Sequence, residues 1–248
     1  MPGAEPSLTE HGDGITAIDT DLLRPQFDAC HLVTAGDRAA FVDSGVNASV
    51  PLFLATLERK DIDPAAVDFL FLTHVHLDHA GGAGLLMQSL PNAKAVLHPR
   101  GAPHMIDPGK LIKGATAVYG EDAYRAMYGD ILAIPEDRVV VAEDRQAFTF
   151  GGRRFVSVFT EGHARHHHCF YDPDSASVFT GDSFGLSYRE LDTAQGEFIY
   201  PTTTPVHFDP PEAHRAIDTI LIAWPHAANP SFPAGMSTRR RASSAARK

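Results

Sequence analysis

The chain has 248 residues, 44% of them hydrophobic, which is enough for one domain with a substantial core. Its formal net charge is −10, and because phosphate binding needs clustered cations on a folded surface, this balance argues against nucleic acid as a partner. Two cysteines, Cys30 and Cys169, are too few for a disulfide framework, and we expect both to be reduced and partly buried.

The amino terminus and the hydropathy of the chain indicate the compartment. Residues 1–14 contain no basic start followed by an apolar run, which is the pattern of an export signal. No apolar stretch approaches the roughly 20 residues that a membrane-spanning helix needs. We therefore expect a cytoplasmic protein that has no membrane partner.

Strand and helix signals alternate in the first half of the chain. Residues 14–45 hold three apolar segments, and the turn residues AGDR between the last two are typical of a hairpin. Residues 50–60 place apolar side chains at helical spacing. Residues 66–73, AVDFLFLT, form the continuous apolar run of a strand buried on both faces. A helix over 81–90 and a strand over 94–98 are predicted to follow.

The pattern weakens over residues 100–138, which we interpret as a loop-and-helix insertion of the kind that covers a site. Strand signals return in the segments RVVVA, QAFTF, RRFVSVFT, HHCFYD and ASVFTGD, and residues 212–223 predict an amphipathic helix. Two successive sets of strands and helices favour a layered α/β domain.

Residues 73–82, THVHLDHAGG, concentrate metal-binding side chains where a strand is predicted to end. Alternate side chains of a strand share a face, which places His74 and His76 together. A turn after them can bring Asp78 and His79 to a neighbouring position. Because imidazole and carboxylate are ligands that zinc and similar ions prefer, the segment predicts a metal site.

This segment resembles the HxHxDH signature of the metallo-β-lactamase superfamily, and three further segments are similar to that family in the same order. FVDSG over 41–45 carries Asp43, EGHARHHHCFYD over 161–172 carries His163, and VFTGDSF over 178–184 carries Asp182. The nearest similarity is to the lactonase-like and glyoxalase-II-like group. The resemblance implies an α/β fold, the four-layer αβ/βα sandwich.

The resemblance also implies the roles of the site residues. His74, His76 and His163 would hold one ion, Asp78 and His79 part of a second, and Asp182 would lie between the two. Asp43 would support the site from behind the ligands. The expected ion is zinc, in one or two copies, with iron or manganese as alternatives.

The function implied is that of a metal-dependent hydrolase whose metal-bound hydroxide attacks a small carbonyl ester, lactone or thioester. Asp78 would be the catalytic residue, because its carboxylate can orient the attacking water and then pass a proton to the leaving group. The expected partner is therefore a small-molecule substrate.

The end of the chain departs from the family pattern. The superfamily normally supplies one more histidine in a late stretch similar to THFG, and no such stretch is present. His207, His214 and His226 are the substitutes on offer, with His226 nearest in chain order. We therefore expect a sandwich that lacks or alters its last strand and helix, with a well-formed first metal site and a weakened second one.

The domain boundaries follow from the same departure. We predict one domain over residues 1–223 and an atypical basic tail over 224–248, which is disordered because it has no acids and no strand pattern. Loss of a late strand would expose a sheet edge, and a homodimer is one assembly that such an edge allows.

Three alternatives to the leading function stay open. A glyoxalase-II-type thioesterase would need cations for a glutathione carboxylate, and the insertion offers Arg100, Lys110 and Lys113 without forming a convincing cluster. β-Lactam hydrolysis ranks lower because no export signal is seen. A metal-binding remnant without catalysis would follow from the missing histidine. Gly185 replaces the tyrosine typical of acyl-homoserine lactonases, which lowers that specific assignment.

Aromatic and histidine residues near the motifs are candidates for the substrate pocket. Phe184, Tyr188 and Tyr200 follow Asp182 in aromatic-rich segments, and ordinary packing is an equal alternative for each. His167 is the member of the triple histidine 166–168 that we expect near the site, because a strand sends only alternate side chains the same way.

Overall fold

The computed structural model describes residues 5–204 and 207–223, which form two β-sheets and their flanking helices. The first sheet has seven strands in chain order. Its strands β1 to β4 pair antiparallel, and β4 to β7 pair parallel. Their bounds are β1 Leu8–Gly12, β2 Ile15–Asp19, β3 Ala29–Ala35, β4 Arg38–Val42, β5 Val67–Phe71, β6 Lys94–Leu97 and β7 Val139–Val141.

The second sheet has four antiparallel strands in the order β11, β10, β9, β8. Their bounds are β8 Ala147–Phe150, β9 Arg153–Phe159, β10 His168–Asp172 and β11 Ser177–Phe179. Each connection is short, as expected for consecutive antiparallel strands. The loop between β9 and β10 and the loop after β11 carry the site residues of this sheet.

Seven α-helices complete the described part of the chain. They are α1 Val50–Arg59, α2 Leu77–Ala80, α3 Ala83–Ser89, α4 Ala102–Ile106, α5 Gly109–Tyr119, α6 Glu121–Tyr128 and α7 Pro210–Ala223. Helices α4, α5 and α6 lie between β6 and β7, where a loop-and-helix insertion was predicted. None of the helices in the described ranges has the length and hydropathy of a membrane span.

Three buried clusters show how the layers stack. Phe41 of β4 packs against Phe53 of α1 on the outer face of the first sheet. Phe71 of β5 lies between the sheets, with its ring centroid 4.8 Å from that of Phe170 of β10. Ile220 of α7 joins the cluster on the outer face of the second sheet. The order helix, sheet, sheet, helix is the predicted four-layer sandwich.

The sequence predictions for most strands and helices are confirmed, and β5 is buried on both faces as expected. Strand β1 was not predicted, because its residues LTEHG are half polar and pair on one side only. The helix predicted over 81–90 is α3, and a short helix that was not predicted, α2, precedes it. Cys30 and Cys169 are both buried and free.

Candidate metal centre

The predicted site residues lie at one edge of the sandwich, where both sheets contribute loops. Asp43 directly follows β4, and His74 lies three residues beyond the end of the neighbouring parallel strand β5. From the second sheet, His163 lies between β9 and β10, and Asp182 lies three residues beyond the end of β11. Residues far apart in the sequence therefore meet at this edge.

His74, His76 and His163 form one group of possible ligand atoms, all within 4.8 Å of one another. The Nδ1 atom of His76 lies 3.0 Å from Nε2 of His74 and 3.0 Å from Nε2 of His163. Two zinc–nitrogen bonds at tetrahedral angles would place their nitrogens about 3.3 Å apart. The three imidazoles therefore fit a shared ion in both chemistry and spacing.

His74, His79 and Asp182 form a second such group. The two carboxylate oxygens of Asp182 face different histidines: Oδ1 lies 3.3 Å from Nε2 of His79, and Oδ2 lies 3.4 Å from Nε2 of His163. A carboxylate that bridges two ions needs this division of its oxygens. The donor set of two imidazoles and a carboxylate also suits zinc.

Asp78 belongs to neither group. Its Oδ2 atom lies 3.8 Å from Nε2 of His79, and 42% of its side chain is exposed. It lines the cavity described below. Asp78 is therefore close enough to the second group to join it and open enough to meet a substrate.

Hydrogen bonds fix which nitrogen of His74 and His79 is free for a metal. The Thr73 hydroxyl donates to the Asp43 carboxylate at 2.9 Å, so it accepts from Nδ1 of His74 at 3.1 Å. Asp43 accepts directly from Nδ1 of His79 at 2.9 Å. Because both Nδ1 atoms are held by these acceptors, Nε2 is the atom of each ring that faces the site and would bind a metal once it is unprotonated.

Thr202 has the same effect on His163, and sequence reasoning did not identify it. Its hydroxyl donates to the backbone oxygen of Asp182 at 2.6 Å and lies 3.0 Å from Nδ1 of His163, so it accepts the proton of that nitrogen. The Nε2 atom of His163 is then the metal-binding atom. No motif marks Thr202, which lies 39 residues after His163.

The charges of the site follow from burial and from neighbouring groups. Burial, assisted by the surrounding histidines, lowers the pKa of His74 well below its ordinary value. Burial also lowers the pKa of His163 to about 4, which Asp182 offsets only in part. Both imidazoles are therefore neutral at pH 7, as metal ligands must be.

The pKa values of His79 and Asp182 shift in opposite directions. Burial lowers the pKa of His79, but the carboxylates of Asp182, Asp78 and Asp43 together outweigh it and raise that pKa well above its ordinary value. Burial raises the pKa of Asp182, but nearby His79 and His163 outweigh it and lower that pKa. Before a metal binds, the pair therefore consists of an imidazolium and a carboxylate.

Gly181 allows the two halves of the site to approach each other. Its φ angle is +46°, and a Cβ atom there would lie 2.6 Å from Oγ1 of Thr73 and 2.8 Å from Nε2 of His167. Neither distance is compatible with a side chain. A residue without Cβ is therefore required directly before Asp182.

The triple histidine is used in three ways. His167 accepts from the backbone N–H of Asp182 at 3.2 Å and lies 2.9 Å from the Ser183 hydroxyl, so it orients the Asp182 turn, as predicted. His168 is buried and bonds to the backbone oxygen of Leu72 at 2.7 Å. His166 accepts from the backbone N–H of Val75 at 3.3 Å and lines the cavity.

A cavity of about 770 Å³ opens onto the site, with His76, Asp78, His163 and Asp182 among its lining residues. Tyr200 lines it, as predicted. Phe184 and Tyr188 do not line it, and ordinary packing, the alternative left open for each, describes both. Phe184 packs on the outer face of the second sheet, and Tyr188 stacks on Phe27 with ring centroids 5.5 Å apart.

Only some of the substitute histidines and of the cations in the insertion line the cavity. His207 lines the cavity and is exposed, whereas His214 lies on the exposed side of α7. Arg100 and Lys110 line the cavity, but Lys113 lines a separate cleft between α5 and α6. His226, the basic tail over 224–248 and the predicted change in the last strand and helix lie outside the described residues.

Comparisons with known proteins agree with this fold. The metallo-beta-lactamase fold-containing protein ST1585 of Sulfurisphaera tokodaii is 28% identical over 186 residues, which are 73% of this chain and 64% of that protein. Its solved structure matches with a TM-score of 0.71 at 26% identity, covering 91% of this chain and 81% of that one. The FEZ-1 metallo-beta-lactamase of Legionella gormanii shares the fold, with a TM-score of 0.61 at 16% identity and coverage of 95% and 81%.

Two relatives carry names that state an activity. The atrochrysone carboxyl ACP thioesterase of Aspergillus fumigatus is 29% identical over 62% of this chain, and the hydroxyacylglutathione hydrolase of Brucella ovis is 30% identical over 55%. The matched regions span only 38% and 40% of those proteins. Residues 23–227 match the sequence profile described as metallo-beta-lactamase superfamily, so the chain belongs to that superfamily.

Proposed function

We propose that this protein is a metal-dependent hydrolase that cleaves a carbonyl ester, lactone or thioester. The observation that carries the proposal is the presence of two ligand groups that share His74, with Asp182 facing both His79 and His163, beside a cavity large enough for a substrate. The superfamily to which the chain belongs consists mostly of hydrolases, which supports the same reading.

His74, His76 and His163 would hold one ion, and His79, Asp78 and Asp182 would hold a second, with Asp182 shared. Such ions lower the pKa of a bound water towards about 7 and polarise the carbonyl under attack. Zinc suits these donors best, with iron or manganese as alternatives and one or two ions per chain.

The residues of this chain position the reactants. Asp78 faces the cavity and can accept a proton from the attacking water as the water oxygen bonds to the carbonyl carbon. When the bond to the leaving oxygen or sulfur breaks, the same carboxyl group can return that proton to the leaving group. Asp43, through Thr73 and His79, keeps the histidine rings oriented during the reaction.

A thioesterase is the second candidate, and a specific observation favours it. Arg100 and Lys110 line the cavity, where they can meet a charged arm of a thiol leaving group. Two relatives are named as a thioesterase and as a hydrolase of an acylglutathione, although this chain spans two fifths or less of each. Lactone and ester hydrolysis would use the same site without this contact.

The proposal is tested with protein purified without chelator, in which metal content and hydrolysis are measured together. We expect bound zinc, iron or manganese and activity towards at least one member of a panel of lactones, oxygen esters, thioesters and β-lactams. His74→Ala should lower activity by about a hundredfold or more, because even residues behind the ligands change metal affinity or activity by about 10–100-fold.

His214→Ala is the matched control, because His214 is exposed on α7 outside the cavity, and it should keep metal and activity. Unchanged hydrolysis in His74→Ala would show that the mechanism is wrong. Bound metal without turnover of any substrate would favour a metal-binding protein that no longer catalyses.

A further inference from the structure

Helix α5 separates two openings in the protein surface. One face of the helix lines the cavity above the proposed metal centre, with Lys110, Leu111, Gly114, Ala115, Val118 and Tyr119. The other face lines the cleft between α5 and α6, with Ile112, Lys113, Thr116 and Ala117. This division follows the helical repeat, in which residues three and four apart share a face. No residue of α5, which lies wholly within the described ranges, is buried.

Gly114 lies in the middle of the cavity face, where neither the backbone nor the packing requires glycine. Its φ angle is not positive, and a Cβ atom there would meet none of the described atoms within 4 Å. Gly84 of α3 is different, because a Cβ atom there would lie 2.1 Å from the backbone oxygen of Leu132. Since glycine inside a helix is less favourable than alanine or leucine, Gly114 weakens α5 without relieving any clash.

The cavity face of α5 is apolar on both sides of Gly114. Leu111 lies one turn before it, Val118 lies one turn after it, and Ala115 lies beside it. Val118 is 57% exposed and is one of the large apolar residues that the fold leaves open to water. From Leu111 to Val118 this face extends about 10 Å along the helix axis. Gly114 therefore leaves a gap at the centre of an apolar surface, and a ligand that covers this surface gains from its removal from water.

We propose that Gly114 determines the size of substrate that the cavity accepts, because it keeps the face between Leu111 and Val118 open for an extended apolar chain. This inference rests on the proposed function and narrows its substrates to acyl compounds with such a chain, on the acyl group or on the leaving alcohol or thiol. Hydrolysis adds water across the scissile bond and releases a free acid and that alcohol or thiol. Gly114 takes no part in the bond cleavage itself.

The test uses two pairs of thioesters, one for each side of the substrate. The butanoyl and decanoyl thioesters of mercaptoethanol differ in the acyl chain, and the acetyl thioesters of butanethiol and decanethiol differ in the leaving group. In at least one pair the long chain should raise kcat/KM by about tenfold or more, because each methylene group that leaves water strengthens binding. The pair that responds identifies the side of the substrate that lies along α5. Equal kcat/KM values for both lengths in both pairs would overturn the proposal.

Gly114→Leu fills the gap and should lower the ratio of kcat/KM between the long and the short thioester by about tenfold or more. Its urea midpoint should equal or exceed that of the wild type, because leucine favours a helix more than glycine does, so unfolding would not explain the loss. Ala117→Leu is the matched control, since it enlarges a residue of α5 that faces the other cleft, and it should keep the wild-type ratio. An unchanged ratio in Gly114→Leu, or an equal fall in Ala117→Leu, would overturn the proposal.

A binding measurement separates this proposal from the proposed function. The butyl and decyl thioethers of mercaptoethanol have no carbonyl group and cannot be hydrolysed. In calorimetric titrations the wild type and Ala117→Leu should bind the decyl thioether about tenfold or more tightly than the butyl thioether, whereas Gly114→Leu should lose this preference. If no thioester is hydrolysed while this difference is seen, hydrolysis fails and the role of Gly114 stands. Equal affinity of the wild type for both thioethers would overturn that role even in an active enzyme.

Discussion

Asp43 is the residue on which the orientation of two histidines depends. It accepts from Nδ1 of His79 directly and acts on His74 through the hydroxyl of Thr73. Its own φ angle is +61°, a conformation that asparagine also tolerates. Asp43→Asn should therefore keep the backbone but weaken metal affinity by about 10–100-fold, which competition with a chromogenic chelator would measure.

Asp37→Asn serves as the control for this change, because Asp37 is exposed in the turn between β3 and β4 and removes the same charge. Its metal affinity should equal that of the wild type. If Asp43→Asn bound metal as tightly as the control, the hydrogen bonds of Asp43 would not orient the ligands.

The segment after β11 acts as one element, and Gly185 is the position that allows its fold. Leu186 and Tyr200 form an antiparallel bridge, with N–H to O distances of 2.8 and 3.0 Å. Gly185 has a φ angle of +115°, and a Cβ atom there would lie 2.5 Å from the backbone oxygen of Tyr200. Gly185→Ala should break the bridge and lower the free energy of unfolding by about 2 kcal/mol or more, as measured in urea.

Gly196→Ala separates the steric clash from backbone strain. Gly196 lies in the same segment at a φ angle of +129°, but a Cβ atom there would meet nothing within 4 Å. We expect this variant to lose about 1 kcal/mol, the cost of the backbone conformation alone. Equal losses in the two variants would show that the bridge does not stabilise the segment.

The same segment shows why some elements could not be predicted. Apolar runs such as AVDFLFLT mark buried strands by composition, so most strands and the first helix were found from the sequence. Residues 183–204 have no periodic pattern, and their conformation depends on contacts with distant residues such as Phe27. Phe184, Tyr188 and Tyr200 therefore looked equivalent, although only Tyr200 reaches the cavity.

At the scale of the whole molecule, the proposed ions would join the two sheets. His74, His76 and His79 follow β5 of the first sheet, whereas His163 and Asp182 belong to loops of the second. A ligand that binds only the folded state stabilises it by mass action. Removal of metal with a chelator should therefore lower Tm by about 5 to 10 °C, measured by calorimetry before and after dialysis.

His74→Ala should begin at a lower Tm and should respond less to the chelator than the wild type, because it lacks a ligand of the first proposed ion. Restoring zinc to the wild type should restore its Tm. A Tm that stays constant while elemental analysis shows loss of the metal would contradict the link between the two sheets.

The packing of the whole molecule also limits how many of the site residues could be predicted from the sequence. Spacing within residues 73–82 was enough to predict a metal site, and resemblance added His163 and Asp182. The cations of the cavity follow no such pattern. Arg100 and Lys110 were noted without Arg165, and Lys113 was grouped with them although it faces another cleft, because helix rotation and loop packing decide which charges converge.

Gly181 restricts how the proposed metal centre can change during evolution. There is no room for one further carbon atom at Gly181, since a Cβ atom would overlap both Thr73 and His167. Any substitution of Gly181 would act as a wedge that separates Asp182 from the histidines on the opposite sheet. The close approach of the two halves of the proposed site therefore depends on a position that contributes no side chain at all.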